Sequence, residues 1–409
     1  MDRRQFLAGS AAAAALAAFP ARAQPPSERS PAERAVWVDS QGGVDEWDEP
    51  QPGRFVPSHK LIEAIRQRRM DVIGMTVGEV GNGPDRFRSA VQSIAEWDAL
   101  IAQHRAHFMK IESGADIAAA RAAGKMGLIY NFQDTTMLEG DSARVATFAA
   151  LGVKQIQLTY NKRNLAGDGC LERANAGLSD FGREVIAKIQ EAKVLLDLSH
   201  AGQRTIAEGI AAAKRPPAIT HSACRSLVDL PRNTFDSEMR ALADKGGVFG
   251  IYLMPFLRLS GQPGKEDLIR HIEHAAKVCG EDHVGIGTDG PLFGYEINEE
   301  TRKRHREFFE DRRKRGISAP GEAADVLNMV EAITTSAAIR PSPPTSRRAA
   351  GAGGESTNCS AATGCGCSAR CGADVVPAQA GTSAGERRGV FHPLRPQPSL
   401  GRRVSAHSS

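Results

Sequence analysis

A parallel (β/α)8 barrel of the TIM type, α/β in class, is the fold this sequence predicts, on three observations. Apolar, strand-like runs alternate with helix-spaced segments eight times between residues 35 and 290, which is the arithmetic of a closed parallel sheet wrapped by helices. Polar residues gather at the carboxyl ends of those runs, where barrels of this kind carry their chemistry. No Gly-x-Gly-x-x-Gly turn follows the first run, which argues against a doubly wound dinucleotide fold.

The runs, in order, are 35–39, 72–77, 127–133, 156–160, 194–200, 217–221, 248–253 and 284–289, with a minor ninth at 108–112. Each is a short, apolar, strand-like run. Helical spacing is clearest at 178–192, 203–213, 236–245 and 265–279, the last with Leu268, Ile272 and Ala275 on one face. The strand ends then read Asp39, Val77, Gln133, Tyr160, His200, His221, Leu253 and Asp289.

The 409 residues include 41% hydrophobic and 24% charged residues, the composition of a soluble globular chain. The net charge of +4 is carried by the two ends, and the body between them is mildly acidic. A nucleic-acid-binding protein should show a basic body, so that class is excluded. Residues 1–23 pair Arg3-Arg4 with an alanine-rich apolar run and Ala21-Arg22-Ala23, the pattern of a cleaved twin-arginine export signal. The expected location is the periplasm or beyond, with no integral membrane segment. Residues 24–340 form the expected barrel. Residues 341–409 are rich in Ala, Gly, Ser, Pro and Arg and lack periodicity, so they read as a disordered tail. Four cysteines there (Cys359, Cys365, Cys367 and Cys371) are spaced like a metal knuckle, but the composition around them favours the bland reading.

Two apolar runs finish on a histidine, Leu-Asp-Leu-Ser-His200 and Ala-Ile-Thr-His221, with one helix of chain between them. A single strand-end histidine is usually a hydrogen-bonded core residue. A matched pair on neighbouring strands can converge on one ion, and neutral imidazole suits zinc. Asp289, in Gly-Thr-Asp-Gly, ends the last strand and could ligate a metal or take a proton from water, against the reading of a turn-forming Asp before Gly. Arg232, in Pro-Arg-Asn after the sixth strand, could grip a substrate carboxylate or be a solvated loop arginine. Asp197, Asp180 and the other acids read as solvated or capping residues.

These residues sit in an ordered set of motifs. Ile156-Gln-Leu-Thr-Tyr-Asn, Gly177-Leu-Ser-Asp-Phe-Gly-Arg, Leu196-Asp-Leu-Ser-His, Thr220-His-Ser-Ala-Cys-Arg, Pro231-Arg-Asn and Gly285-Ile-Gly-Thr-Asp together resemble the membrane (renal) dipeptidase family of zinc peptidases. The resemblance implies a barrel with two zinc ions that cleaves dipeptides bearing a free carboxyl terminus through metal-activated water, and a possible homodimer. It implies that His200 and His221 hold one zinc, that Asp289 is the catalytic proton carrier, and that Arg232 binds substrate. Tyr160 stands where many members have a substrate-polarising histidine.

The departures are as specific as the matches. The family's first strand ends in a His-x-Asp pair that holds the other zinc, and here Gln41 and Gly43 take those places. Gln133 replaces the glutamate that bridges the two ions, leaving it at most a weak metal ligand. One ion is therefore more in keeping with the sequence than two. Two functions remain open on sequence alone: a single-metal dipeptide hydrolase, or a catalytically inactive barrel that binds a peptide or partner.

Overall fold

Strand pairing closes the sheet on itself. The computed structural model describes residues 35–331 apart from 52, 68, 69 and 294–296. The expected signal, the C-terminal tail and the four tail cysteines lie outside the described residues. Eight parallel positions follow one another around the sheet: β1 (Val38–Gly43), β4 (Val72–Thr76), β6 (Met126–Phe132), β7 (Val153–Gln157), β8 (Leu195–Asp197), β9 (Ala218–Ser222), β10 (Val248–Ile251) and a divided eighth strand, β11 (Val284–Ile286) with β12 (Gly290–Pro291). The intervening β2 (Trp47–Gln51) and β3 (Arg54–Pro57) form an antiparallel pair. The minor strand is real: β5 (Phe108–Lys110) shares the edge of β6 ahead of β7.

The divided strand makes the closure. β11 pairs with β10, and β12 pairs with β1. Across the break, Gly287 N donates to Ile251 O (3.1 Å), Leu253 N to Thr288 O (3.0 Å) and Asp289 N to Gln41 O (2.7 Å), so both neighbours stay bonded where the strand bends. Asp39 locks the seam from the other side, its carboxylate accepting from Thr288 N (2.9 Å) and Thr288 Oγ1 (2.6 Å). The barrel interior is tight here: a Cβ on Gly287 would lie 2.1 Å from Thr220 O, so only glycine fits.

Helices α1 (His59–Arg66), α2 (Arg86–Gln103), α3 (Gly114–Ala122), α4 (Arg144–Ala150), α5 (Asp180–Glu191), α6 (Gln203–Ala212), α7 (Asp236–Asp244) and α8 (Lys265–Cys279) fall between successive strands, and α9 (Glu299–Lys314) follows the last. α5 starts where Ser179 Oγ accepts from Gly182 N (2.9 Å), an N-cap, and buries Val185, Ile186 and Ile189 against the sheet. The face of α8 is shifted from the expected one: His271, not Ile272, is buried with Leu268 and Ala275. Its imidazole is satisfied by Cys224 N (3.0 Å) and Leu257 O (3.1 Å), which is how a polar ring can occupy a core position.

Several strand ends differ from the sequence reading: the fifth strand stops at Asp197, three residues before His200, the eighth is divided after Ile286, and two more bear on the site. The first strand runs to Gly43, so Asp39 is an interior seam residue and not a strand-end group. The fourth strand stops at Gln157, which leaves Tyr160 three residues into the following loop. Both errors come from polar side chains whose partners are remote in sequence.

The loop after β1 is pinned to the end of the eighth strand by Phe293 N, which donates to Asp45 Oδ1 (3.2 Å). Burial pushes the Asp45 carboxyl up to about 7, the hydrogen bond from Phe293 opposing it. The folded state therefore favours protonation, so this contribution is full below about pH 4 and is lost as the pH rises through 7. The parent chain should lose about 2 kcal/mol more stability than Asp45→Asn between pH 5 and pH 8 in urea unfolding. Equal losses in the two proteins would contradict this assignment.

Candidate functional site

His221 is the fourth residue of β9, and His200 follows β8 by three residues. Both rings are buried, with centroids 5.0 Å apart. Each has one nitrogen engaged and one free. His200 Nδ1 lies 2.7 Å from Asn161 Oδ1, an atom that can only accept, so the ring carries its proton on Nδ1. His221 Nδ1 lies 2.9 Å from Thr220 Oγ1, and that hydroxyl already donates to Asp197 Oδ2 (2.6 Å). The hydroxyl must accept from the ring, which again places the proton on Nδ1. Both Nε2 atoms are left as lone pairs, buried and without a hydrogen-bond partner.

Asp289 completes the group: one ligand atom from each of His200, His221 and Asp289 lies within 4.8 Å of the others. Two of the three hold left-handed backbone, His200 at φ 61° and Asp289 at φ 53°. Non-glycine residues in that region typically cost about 1–3 kcal/mol and persist at functional sites. Cys170 N, donating to His200 O (2.8 Å), and Gln41 O, accepting from Asp289 N (2.7 Å), hold the two in place.

The electrostatics keep the imidazoles neutral. Burial, and then the charge of Arg232, hold both histidines well below their ordinary range. Burial pushes the Asp289 carboxyl up to about 6, with Arg232 and Arg312 pulling it back. Two neutral imidazoles with buried free lone pairs and a carboxylate beside them are the donor set a divalent cation takes, so these three residues fit a metal.

Arg232 is 3% exposed and makes no ion pair with a described residue. One nitrogen donates to His221 O (3.3 Å), and the guanidinium lies 5.3 Å from the Tyr252 ring centroid. Its charge is felt by Asp289 but met by no direct ion pair with a described residue, and an incoming carboxylate at hydrogen-bond range would supply one.

The places of the other metal are filled differently. Gln41 Nε2 donates to Thr76 Oγ1 (3.1 Å), Thr76 Oγ1 to Asn131 Oδ1 (3.1 Å), and Asn131 Nδ2 back to Gln41 Oε1 (3.1 Å). Gln133 Nε2 adds a fourth bond to Thr76 Oγ1 (2.9 Å). This is a closed ring of neutral groups in which Gln41 has no donor atom to spare, and Gly43 offers no side chain. These residues do not fit a second cation.

The structure brings together His200, His221 and Asp289, with Arg232 beside His221, and sequence reasoning missed the groups that orient them. Asp197 is neither solvated nor capping: it is fully buried and accepts from Ser199 N, Ser199 Oγ, Thr220 N, Thr220 Oγ1 and Gln155 Nε2. Its apolar neighbours in Leu-Leu-Asp-Leu were the available signal. Asn161 stood at the end of the Ile156-Gln-Leu-Thr-Tyr-Asn motif with no role assigned, and Arg312 gave no signal. Arg312, in the last turn of α9, binds both oxygens of Glu322 at 2.8 Å and donates to Tyr160 Oη (3.1 Å). Tyr160 in turn stacks on His200, centroids 4.1 Å apart.

Residues 55–299 match the membrane dipeptidase family, peptidase family M19, and residues 1–20 match the twin-arginine translocation signal. An uncharacterised Klebsiella pneumoniae protein from the pqqA 5′ region is 28% identical over 209 residues, 48% of this chain and 77% of that one. The dipeptidase verJ of Clonostachys rogersoniana is 25% identical over 50% of this chain and 53% of its own, so the chain spans about half the length of that relative. Among solved structures, an amidohydrolase from Pseudomonas aeruginosa superposes with a TM-score of 0.63 at 29% identity, covering 76% of this chain and 87% of that one. The probable dipeptidase PvdM from the same organism (TM-score 0.56, 19% identity, 63% and 84% covered) shares the barrel fold. The export signal places the chain on the twin-arginine route, and no described helix is long and apolar enough to cross a membrane.

Asp197→Ala would leave five donors without an acceptor in a dry interior. It should lower unfolding free energy by about 3 kcal/mol or more, read from urea midpoints. A loss below about 1 kcal/mol would show that Asp197 does not organise these strands.

Proposed function

The chain belongs to the membrane dipeptidase family, peptidase family M19, a family of hydrolases, and from that premise we propose that it cleaves dipeptides bearing a free carboxyl terminus with a single zinc ion. His200, His221 and Asp289 would hold that ion, with the amide oxygen of Gln133 the one weak donor left near the replaced site. The observation that carries the reading is the pair of buried Nε2 lone pairs, both fixed in the ligating tautomer and without a partner. When bound, a divalent ion supplies Lewis-acid chemistry, lowering the pKa of water and polarising a carbonyl.

The chain's own residues supply the rest. Arg232 receives the substrate's terminal carboxylate and sets its register, since its guanidinium is buried and makes no direct ion pair with a described residue. Asp289 is the carboxylate of the group and the residue placed to carry a proton between water and the leaving amine. It takes the proton of the attacking water as oxygen bonds to the carbonyl carbon. It then delivers that proton to the departing amine as the C–N bond breaks, giving two amino acids. Tyr160 presents a hydroxyl beside His200 for the substrate carbonyl.

The test is metal content and turnover on the purified chain. One zinc per chain with hydrolysis of members of an L,L and L,D dipeptide panel is expected. Zinc bound without turnover of any dipeptide would instead support a barrel that only binds peptides, the reading favoured by the neutral ring at Gln41, Thr76 and Asn131.

Two variants sharpen it. Thr220→Val removes the hydroxyl that fixes the His221 tautomer, and zinc affinity measured by calorimetry should fall roughly 10–100-fold with the fold retained. Arg232→Met should raise KM at least about tenfold for dipeptides with a free carboxylate, because it removes a charge-assisted contact. Unchanged KM would remove Arg232 from the binding site.

A further inference from the structure

We infer that Arg312 is a positioning residue of this site, holding the Tyr160 hydroxyl as a hydrogen-bond donor toward the substrate's scissile carbonyl oxygen. The inference rests on the dipeptide-hydrolase reading and assigns a role to a residue outside the barrel strands.

Arg312 reaches the site from α9, and its side chain is 7% exposed. Two of its nitrogens, Nε and Nη2, clamp Glu322, whose side chain is 4% exposed, in a two-pronged pair at 2.8 Å. The third, Nη1, donates to Tyr160 Oη at 3.1 Å. A guanidinium can only donate, so the phenol oxygen is the acceptor in that bond and keeps its own proton for another partner. No described residue accepts that proton.

The ring's position is fixed as well. Tyr160 lies against His200 at 4.1 Å between centroids and 23° between planes, so its hydroxyl is held beside the imidazole whose Nε2 is free. Arg312 Nη2 also donates to Ile317 O (3.2 Å), the carbonyl that accepts from Asn161 Nδ2 (2.7 Å). Asn161 is the residue that sets the His200 tautomer. One arginine thus braces the tyrosine directly and the histidine through a shared carbonyl. Its positive charge beside the phenol opposes the effect of burial and strengthens the hydroxyl as a donor. A buried ion pair serving stability alone would not need the third nitrogen on a hydroxyl of the site.

The experiment is a double-mutant cycle with Tyr160→Phe, Arg312→Gln and both together, each zinc-loaded. It reads kcat and KM on a dipeptide and, separately, calorimetric affinity for a phosphinate dipeptide analogue, whose charged oxygen stands in for the developing oxyanion. Tyr160→Phe should lower kcat about 100-fold with KM little changed, as loss of an oxyanion donor does. Arg312→Gln should lower kcat roughly tenfold or more, in the range of outer-shell partners. In the Tyr160→Phe background it should cost nothing further, and phosphinate affinity should follow the same pattern. Arg312→Lys, which keeps the charge and gives up the fork, should recover part of the loss and carries the cycle if Arg312→Gln does not fold. Losses that multiply in the double variant would overturn the inference while leaving the hydrolase reading standing. A wild type without turnover that binds the phosphinate still reads the cycle in affinity. A wild type that does neither takes both readings down together.

Discussion

Two buried imidazole lone pairs without a donor are the constraint around which the carboxyl end of this barrel is built. An unmatched polar atom in a dry interior is costly, and here there are two, side by side, on neighbouring strands. They are there by construction: Asn161 and the Thr220–Asp197 relay force each ring to carry its proton on the far nitrogen. The left-handed backbone at His200 and Asp289 adds local strain at the same place. A fold that concentrates unmet acceptors, strain and a buried arginine in one spot is organised for a ligand that relieves them.

The opposite logic governs the other half of the centre. Gln41, Thr76, Asn131 and Gln133 satisfy one another in a neutral network and ask for nothing more. Gly43 in the place of an aspartate and Gln133 in the place of a glutamate remove the carboxylates a second ion would need, and with them the repulsion that clustered carboxylates would create in its absence. The site is therefore asymmetric. One side waits for a cation, and the other is complete.

The architecture was legible because buried parallel strands are nearly continuous apolar runs, and eight of them with helices between leave little choice of fold. His200, His221 and Asp289 were legible because each breaks such a run with a polar group at its carboxyl end. What was not legible depends on partners far away in the chain. Asp39 looked like a strand end because nothing near it says that Thr288 will donate to its carboxylate across the closing seam. Asp197 looked like any other acid until the hydroxyls of Ser199 and Thr220 were brought round it. Arg312 stands in the run Glu-Asp-Arg-Arg-Lys-Arg, where only the packing of the helix decides which cation turns inward.

The central claim is that both imidazoles are neutral with their protons on Nδ1, leaving two Nε2 lone pairs aimed at one point. Nitrogen-15 NMR of the metal-free chain at neutral pH, with His200 and His221 assigned by substitution, tests it directly. The account predicts a protonated Nδ1 and an unprotonated Nε2 in both rings, with both Nε2 signals moving together as one equivalent of zinc is added. A proton on Nε2 in either ring, or an imidazolium, would contradict it.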